Sequence, residues 1–231
     1  RDRLFITAQN YLKKEERLYE LSWQDQSLVV SWEGPDFHED RSAVLLNAGN
    51  LRGTGNELII ISATNLFLLN MESKTISLHI THNWKPGELA VGDVDGDNLA
   101  EIVVSRIEKV GLKYNIEGLY IYGWDGQSFT EEGKISGIGN IRAITTGDLD
   151  QDGVEEIIAE EGQEGRSGMV SVFRYNAGGS GWLLQKTQKI SGQPVWHMIC
   201  MSVPLPTLYF TAGGAIKRAV WEGTAFARIG T

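Results

Sequence analysis

The chain has 231 residues, of which 42% are hydrophobic and 22% are charged, and these values suit a folded chain with a sizeable core and argue against disorder. No apolar run approaches the roughly 20 residues that a membrane-spanning helix needs. Asp and Glu number 30 against 21 for Lys and Arg, a formal net charge of −9, and such a surface repels phosphate backbones, so we expect no nucleic-acid partner.

The predicted elements are almost all β-strands, because short apolar or alternating runs are separated by turns rich in Gly and polar residues. Only residues 11–21 carry a helical pattern, and their place in the series favours a loop leading into a strand. In chain order the predicted strands are 4–8, 17–23, 27–32, 42–48, 58–63, 65–71, 75–81, 88–92, 102–106, 118–124, 128–135, 141–147, 156–160, 168–175, 183–190, 194–202, 208–212, 215–221 and 225–229. The one cysteine, Cys200, lies in an apolar strand and is expected to be buried.

These strands recur as units of the same order. Trp23, Trp124 and Trp221 each end a third strand and begin a tight turn, so we expect them to pack within their units. The units span residues 1–34, 35–83, 84–136, 137–191 and 192–231. They predict an all-β fold, a β-propeller of about five four-stranded antiparallel blades that forms a single domain over residues 1–231.

The first unit begins at its second strand. The sequence is therefore also compatible with a fragment of a longer propeller. A missing innermost strand would leave residues 4–7 as an open apolar edge, and we expect this edge to pair with preceding residues or with another chain.

An acidic motif occurs twice, at residues 92–103 and 147–158, and a weaker copy at 49–60 lacks three of the acids. Carboxylates at alternate positions of a tight loop can turn inward around one Ca²⁺, which takes six to eight oxygen ligands. Asn98 in one loop and Gly153 in the other permit the left-handed bend. The sequence therefore predicts two calcium sites. Their expected ligands are Asp93, Asp95, Asp97, the Leu99 carbonyl and Glu101 in the first loop, and Asp148, Asp150, Asp152, the Val154 carbonyl and Glu156 in the second.

These loops differ from an EF-hand, in which helices flank the loop and the closing Glu stands at position 12. Here apolar strands follow directly after the Glu. The alternative to a metal site is a pair of solvated loops without an ion. In that case the clustered carboxylates would repel one another, which favours the calcium interpretation.

The pattern Gly-Asp-x-Asp-x-Asp-x-x-x-Glu-Ile, present at residues 92–102 and 147–157, resembles the FG-GAP and VCBS repeat family, which includes the propeller heads of integrin α subunits. The resemblance implies calcium binding and an extracellular or cell-surface protein whose export signal lies outside this sequence. It also implies a role in adhesion or in the recognition of proteins or carbohydrates.

Loops that join one blade to the next should share the face opposite the calcium loops, and the family resemblance implies that partners bind there. Aromatic residues and one histidine in these connections are the candidates for contact with a protein or glycan ligand: Phe37, His38, Trp84 and Trp196. The alternative is a rim of packed aromatic side chains without a ligand.

Catalytic motifs are missing from the sequence. It contains no Gly-x-Ser-x-Gly, no His-Glu-x-x-His and no Gly-rich phosphate loop, and its four histidines are scattered. The sequence therefore favours a calcium-stabilised, non-catalytic recognition or adhesion module rather than an enzyme. The alternatives are a structural scaffold segment of a larger surface protein and a hydrolase built on a propeller.

Overall fold

The computed structural model describes residues 4–10, 15–37, 45–55, 57–62, 64–110, 113–162, 167–178 and 181–228. Every regular element in these ranges is a β-strand. The strands are β1 (Leu4–Asn10), β2 (Glu15–Gln24), β3 (Ser27–Asp36), β4 (Leu45–Gly49), β5 (Glu57–Ile61), β6 (Asn65–Asn70), β7 (Thr75–Thr81), β8 (Lys85–Gly92), β9 (Glu101–Val110), β10 (Lys113–Trp124), β11 (Phe129–Ser136), β12 (Ile141–Gly147), β13 (Glu156–Glu161), β14 (Met169–Asn176), β15 (Gly181–Lys189), β16 (Val195–Met201), β17 (Thr207–Ala212), β18 (Ala215–Trp221) and β19 (Phe226–Arg228).

The strands form five antiparallel sheets, and the chain is a five-bladed β-propeller. Four sheets have four strands in consecutive order, β4 to β7, β8 to β11, β12 to β15 and β16 to β19. The first sheet, β1 to β3, has three. The predicted fold class is thus confirmed, and the stretch with the helical pattern contributes its later residues to strand β2.

Strand β1 lies at an edge of the first sheet. Within the described residues it pairs with β2 alone, from Leu4 opposite Leu21 to Asn10 opposite Glu15. The expected pairing of its other edge with preceding residues or with another chain stays a prediction.

Contacts between Cα atoms divide the chain into two compact units, Arg1–Ala48 with Glu57–Lys85 and Gly49–Asn56 with Pro86–Thr231. In the first unit a core forms around Leu18, Leu58 and Ile60. The second unit holds two larger apolar clusters, one around β9, β10, β12 and β13 and the other around β13, β14, β17 and β18. The predicted single domain over residues 1–231 stays a prediction.

A β-bulge recurs where the third and fourth strands of a blade pair. The register shifts between Leu68 and Leu69, between Ile121 and Tyr122, and between Val172 and Phe173. Each shift leaves one extra residue on the outer strand, and a bulge of this kind re-aims the neighbouring side chains. The extra residues are Ser77, Glu132 and Gln185.

The repeated tryptophans do not share one environment. Trp221 is buried against Phe226 with ring centroids 4.9 Å apart, and Trp124 contacts Phe129 at 5.2 Å. Trp23, in contrast, is 69% exposed, so the expectation that it packs within its blade is wrong. Its cross-strand neighbour is Leu28, which is itself exposed and offers no ring to cover the indole.

Candidate metal centres

The two acidic loops join β8 to β9 and β12 to β13, and each is organised by its first aspartate. The Asp93 carboxylate accepts the N–H groups of Gly96, at 2.7 Å, and Asn98, at 2.9 Å. The Asp148 carboxylate likewise accepts two N–H groups, those of Asp152 at 3.1 Å and Gly153 at 3.0 Å. In each turn one carboxylate thus accepts backbone N–H groups that have no partner on an adjacent strand.

Residues with a left-handed backbone conformation form the bends of the two loops. The φ angle is 72° at Asn98 and 94° at Gly153, so the two residues predicted to permit the bend do so. A second residue of each loop, Gly96 with φ 86° and Gln151 with φ 62°, also adopts this conformation. These are the φ values that Gly and Asn tolerate best, which is why the motif favours them.

Three carboxylates converge in each loop. One oxygen from each of Asp93, Asp95 and Glu101 lies within 4.8 Å of the other two, and a second triad of the same kind forms in the other loop from Asp148, Asp150 and Glu156. Two ligands of one calcium ion, each about 2.3–2.6 Å from it, are at most about 5 Å apart. Both triads therefore fit the coordination sphere of such an ion.

The remaining predicted ligands lie beside the triads. Asp97 accepts the N–H of Leu99 at 2.7 Å, and Asp152 accepts that of Val154 at 2.9 Å. Neither aspartate belongs to a triad among the described residues. That the carbonyl groups of Leu99 and Val154 bind the ion stays a prediction.

The closing glutamates are held inside the protein. Glu101 is 2% exposed and Glu156 is 1% exposed. One oxygen of each accepts a backbone N–H from its own loop, from Val94 at 2.9 Å and from Leu149 at 2.8 Å. The other oxygen of Glu156 is buried and accepts no hydrogen bond. A buried carboxylate is stabilised either by a nearby cation or by taking up a proton, and both triads could hold an ion.

Burial shifts the pKa values of both closing glutamates towards the protonated form. Burial, with smaller contributions from Asp95, Asp97 and Glu132, raises the pKa of Glu101 to about 9 against the favourable Val94 hydrogen bond. Burial also raises the pKa of Glu156, but only to about 7, and there Arg174 opposes the shift. Arg174 therefore offsets part of the negative charge of the second loop, whereas no cation among the described residues contributes in this way at Glu101 in the first.

Sequence reasoning missed two charged residues at these sites, and both come from neighbouring strands. Arg174 on β14 forms ion pairs with Asp150 and Asp152, and its Nε lies 3.8 Å from Glu156 Oε1. Glu132 on β11 adds a carboxylate beside the first loop. Both lie far from the motif along the chain, and only the strand pairing brings them to it.

Consecutive loops of the second unit are joined by backbone hydrogen bonds. The carbonyl of Asn50 accepts the N–H of Ala100 at 2.9 Å, and that of Asp93 accepts the N–H of Glu155 at 2.8 Å. Ser202 Oγ then accepts the N–H of Asp148 at 3.0 Å. Each acidic loop is therefore positioned by its neighbour in the repeat, independently of any ion.

The structure places the residues predicted to contact a partner in different environments. Phe37 is 4% exposed and packs against Phe67 at 5.2 Å between ring centroids, so it belongs to the core and does not lie on a partner surface. The cause is a longer β3, which runs to Asp36 and lets the Phe37 N–H bond the Glu16 carbonyl at 2.8 Å. His38 lies outside the described residues.

The two tryptophans of this group remain at the surface to different degrees. Trp84 is half-buried and stacks on His82, with ring centroids 3.9 Å apart. Trp196 is 56% exposed and lines an open cavity of about 650 Å³ together with His197, Gln193 and Ile216. Trp196 lies near the start of β16, whereas the loops equivalent to the acidic ones follow the ends of first strands. Within this blade the cavity therefore lies at the end opposite that loop.

No protein-family model matches the chain, and no curated protein matches it. None of the described residues forms a helix with the length and apolar character that crossing a membrane requires. The propeller fold and the two acidic triads are therefore the features of this chain that bear on its function.

Proposed function

We propose that this chain is a calcium-stabilised, non-catalytic recognition or adhesion module of an exported or cell-surface protein. The observation that carries the calcium part is the Asp93 loop, where Asp93, Asp95 and the buried Glu101 bring three carboxylate oxygens within 4.8 Å of one another. The donors are all oxygens on an irregular loop, which suits calcium better than a transition metal that favours nitrogen or sulfur. Magnesium is a poorer fit because it demands a compact octahedron.

Isothermal titration of demetallated protein with Ca²⁺ tests the calcium part. We expect saturable binding that an equal concentration of Mg²⁺ does not replace, and we expect Asp93→Asn to remove it. Asp125→Asn is the matched control, because Asp125 is an exposed acid that caps a hairpin turn through Gln127 and Ser128. Absence of calcium binding by the unmodified chain would refute this part of the proposal.

The recognition part is supported by the cavity beside Trp196. An exposed indole face stacks on sugar rings or apolar side chains, and the neighbouring His197 and Gln193 offer polar groups for orientation. The guanidinium carbon of Arg142 lies 5.4 Å from the centre of the Trp196 ring and helps to hold it. The ligand class that this arrangement suits is a glycan or a peptide segment.

A glycan array and a peptide array, each probed with calcium-loaded protein, test the recognition part. We expect a ligand whose binding is lost in Trp196→Ala and retained in Trp23→Ala, since Trp23 is also largely exposed but belongs to a different blade. If both variants bind like the unmodified chain, the cavity is not the binding site. If the unmodified chain binds nothing on either array, the scaffold alternative becomes the better account.

A further inference from the structure

The two acidic loops have the same backbone but differ in the cation nearest to them. In the second loop the guanidinium of Arg174 bridges Asp150 and Asp152 through its two Nη atoms, and its Nε lies 3.8 Å from the buried Glu156 Oε1. The planar guanidinium donates along two directions at once, which suits a pair of carboxylates. This side chain thus contacts two of the three triad residues and also Asp152.

The first loop has no side chain at the equivalent position. Ile157, which follows Glu156, pairs with Phe173, and Arg174 is the next residue. Ile102, which follows Glu101, pairs with Tyr122, and the next residue there is Gly123. The hairpin register therefore gives Arg174 and Gly123 the same place beside the closing glutamate of each blade.

The space over Gly123 is filled by an acid instead. A Cβ atom on Gly123 would lie 2.1 Å from Glu132 Oε1, so the Glu132 carboxylate covers this position. Glu132 is the bulge residue of its outer strand, and its counterpart in the next blade is the neutral Gln185. Because Gly123 follows Tyr122, which pairs with Ile102 next to Glu101, the Glu132 carboxylate over Gly123 lies beside the first loop.

We propose that Arg174 is a built-in cation that takes the place of a metal ion in the Asp148 loop. The chain then binds a single calcium ion, in the Asp93 loop, where Glu132 adds a further carboxylate beside the triad. This inference rests on the proposed calcium function of the Asp93 loop and corrects the expectation of two ions. It is carried by the ion pairs of Arg174, by the unbonded buried oxygen of Glu156 that faces it, and by the absence of a side chain on Gly123.

The charges explain why the two arrangements exclude each other. A divalent cation in the Asp148 loop would lie within a few ångströms of the guanidinium and would be repelled by it. In the Asp93 loop the additional acid strengthens the attraction, because the affinity of such a site follows its count of charged ligands. A Gly at position 123 leaves room for the Glu132 carboxylate, which a side chain there would displace.

Counting bound ions in four forms of the protein tests the inference, by isothermal titration with Ca²⁺ and by Tb³⁺ luminescence sensitised by tryptophan. We expect one ion in the unmodified chain, none in Asp95→Ala, one in Asp150→Ala and two in Arg174→Gly, which copies Gly123. Two ions in the unmodified chain, or a loss of ions in Asp150→Ala, would overturn the inference while leaving the calcium function standing. No ion in the unmodified chain would instead overturn the calcium function itself.

Arg174→Gly can fail to fold, and Glu132 then provides an independent test. We expect Glu132→Gln to weaken calcium binding about tenfold or more. The control is Glu131→Gln, because Glu131 is the neighbouring acid but extends to Arg106, 3.7 Å away. Equal calcium affinities of the two variants would show that Glu132 does not contribute to the site.

Discussion

Replacing Glu101 by Gln should change stability in opposite directions with and without calcium. The Glu101 carboxyl is buried, and burial together with Asp95, Asp97 and Glu132 raises its pKa from 4.5 to about 9. Without a metal ion it must therefore take up a proton when the chain folds at pH 7. From the distance between pH 7 and its ordinary pKa, this uptake costs about 3 kcal/mol.

Gln has nearly the shape of Glu but needs no proton. Its amide oxygen can keep the hydrogen bond from the Val94 N–H, and its amide nitrogen can donate to the carboxylates nearby. We therefore expect Glu101→Gln to stabilise the calcium-free protein by about 1–3 kcal/mol at pH 7. Because the pKa of the folded state is raised, the penalty in the unmodified chain is absent below about pH 4.5 and grows as the pH rises towards 9. The advantage of Gln should shrink accordingly at pH 5.

Calcium should reverse the order of the two proteins. The ion compensates the ionised Glu101 and stabilises the unmodified chain by RT ln(1 + [Ca²⁺]/Kd), about 2.7 kcal/mol at a hundredfold excess over Kd. The variant has lost a charged ligand, so its gain should be smaller. Urea unfolding followed by tryptophan fluorescence, in EDTA and in calcium, measures both effects, with Glu222→Gln in an exposed turn as the control. A variant that is less stable than the unmodified chain in EDTA would refute the reasoning, and an undiminished calcium gain would show that Glu101 is not a ligand.

Three further outcomes are expected. Saturating calcium should raise the melting temperature by about 5–10 °C over that in EDTA, the shift that about 2.7 kcal/mol produces in a chain of this size, and an unchanged melting curve would exclude a structural ion. Burial raises the pKa of Cys200 to about 12, so iodoacetamide at pH 8 should label the folded protein at least 100-fold more slowly than the unfolded one, whereas equal rates would contradict that environment. Gly168→Ala should lower the free energy of unfolding by about 3 kcal/mol or more, and Gly126→Ala by only about 1 kcal/mol, as thermal unfolding can measure. Both residues have positive φ, but only a Cβ on Gly168 would lie 2.2 Å from a backbone oxygen.

The strands and the acidic loops could be predicted from the sequence because both depend on local patterns. Alternation and turn residues fix a strand within a few positions, and the spacing of Asp93, Asp95 and Glu101 along one loop suffices to bring them together. The bends at Asn98 and Gly153 follow from the same local chemistry. These features need no knowledge of what lies on the adjacent strands.

What the sequence did not reveal depends on pairing between strands. Arg174 reaches the Asp148 loop only because β14 pairs with β13 in one register, and Glu132 faces the Asp93 loop at a bulge that no local pattern marks. The prediction that Phe37 lies on a partner surface is wrong for a related reason. The added length of β3 puts this ring into the core beside Phe67, and strand ends are what sequence patterns define least well.

The degenerate third copy of the loop separates the role of the ion from that of the backbone. Residues 49–60 lack the three aspartates, yet Asn50 Oδ1 still accepts the Gly55 N–H at 3.3 Å, and Gly53 and Gly55 still have positive φ. The Asn50 carbonyl also accepts the N–H of Ala100, just as the Asp93 carbonyl accepts that of Glu155. The turn therefore forms without the three aspartates, although it keeps Arg52 and the buried Glu57. The backbone of this turn therefore does not depend on Asp side chains, and we expect calcium to stabilise the Asp93 loop by balancing the charge of its three aspartates and not by dictating its shape.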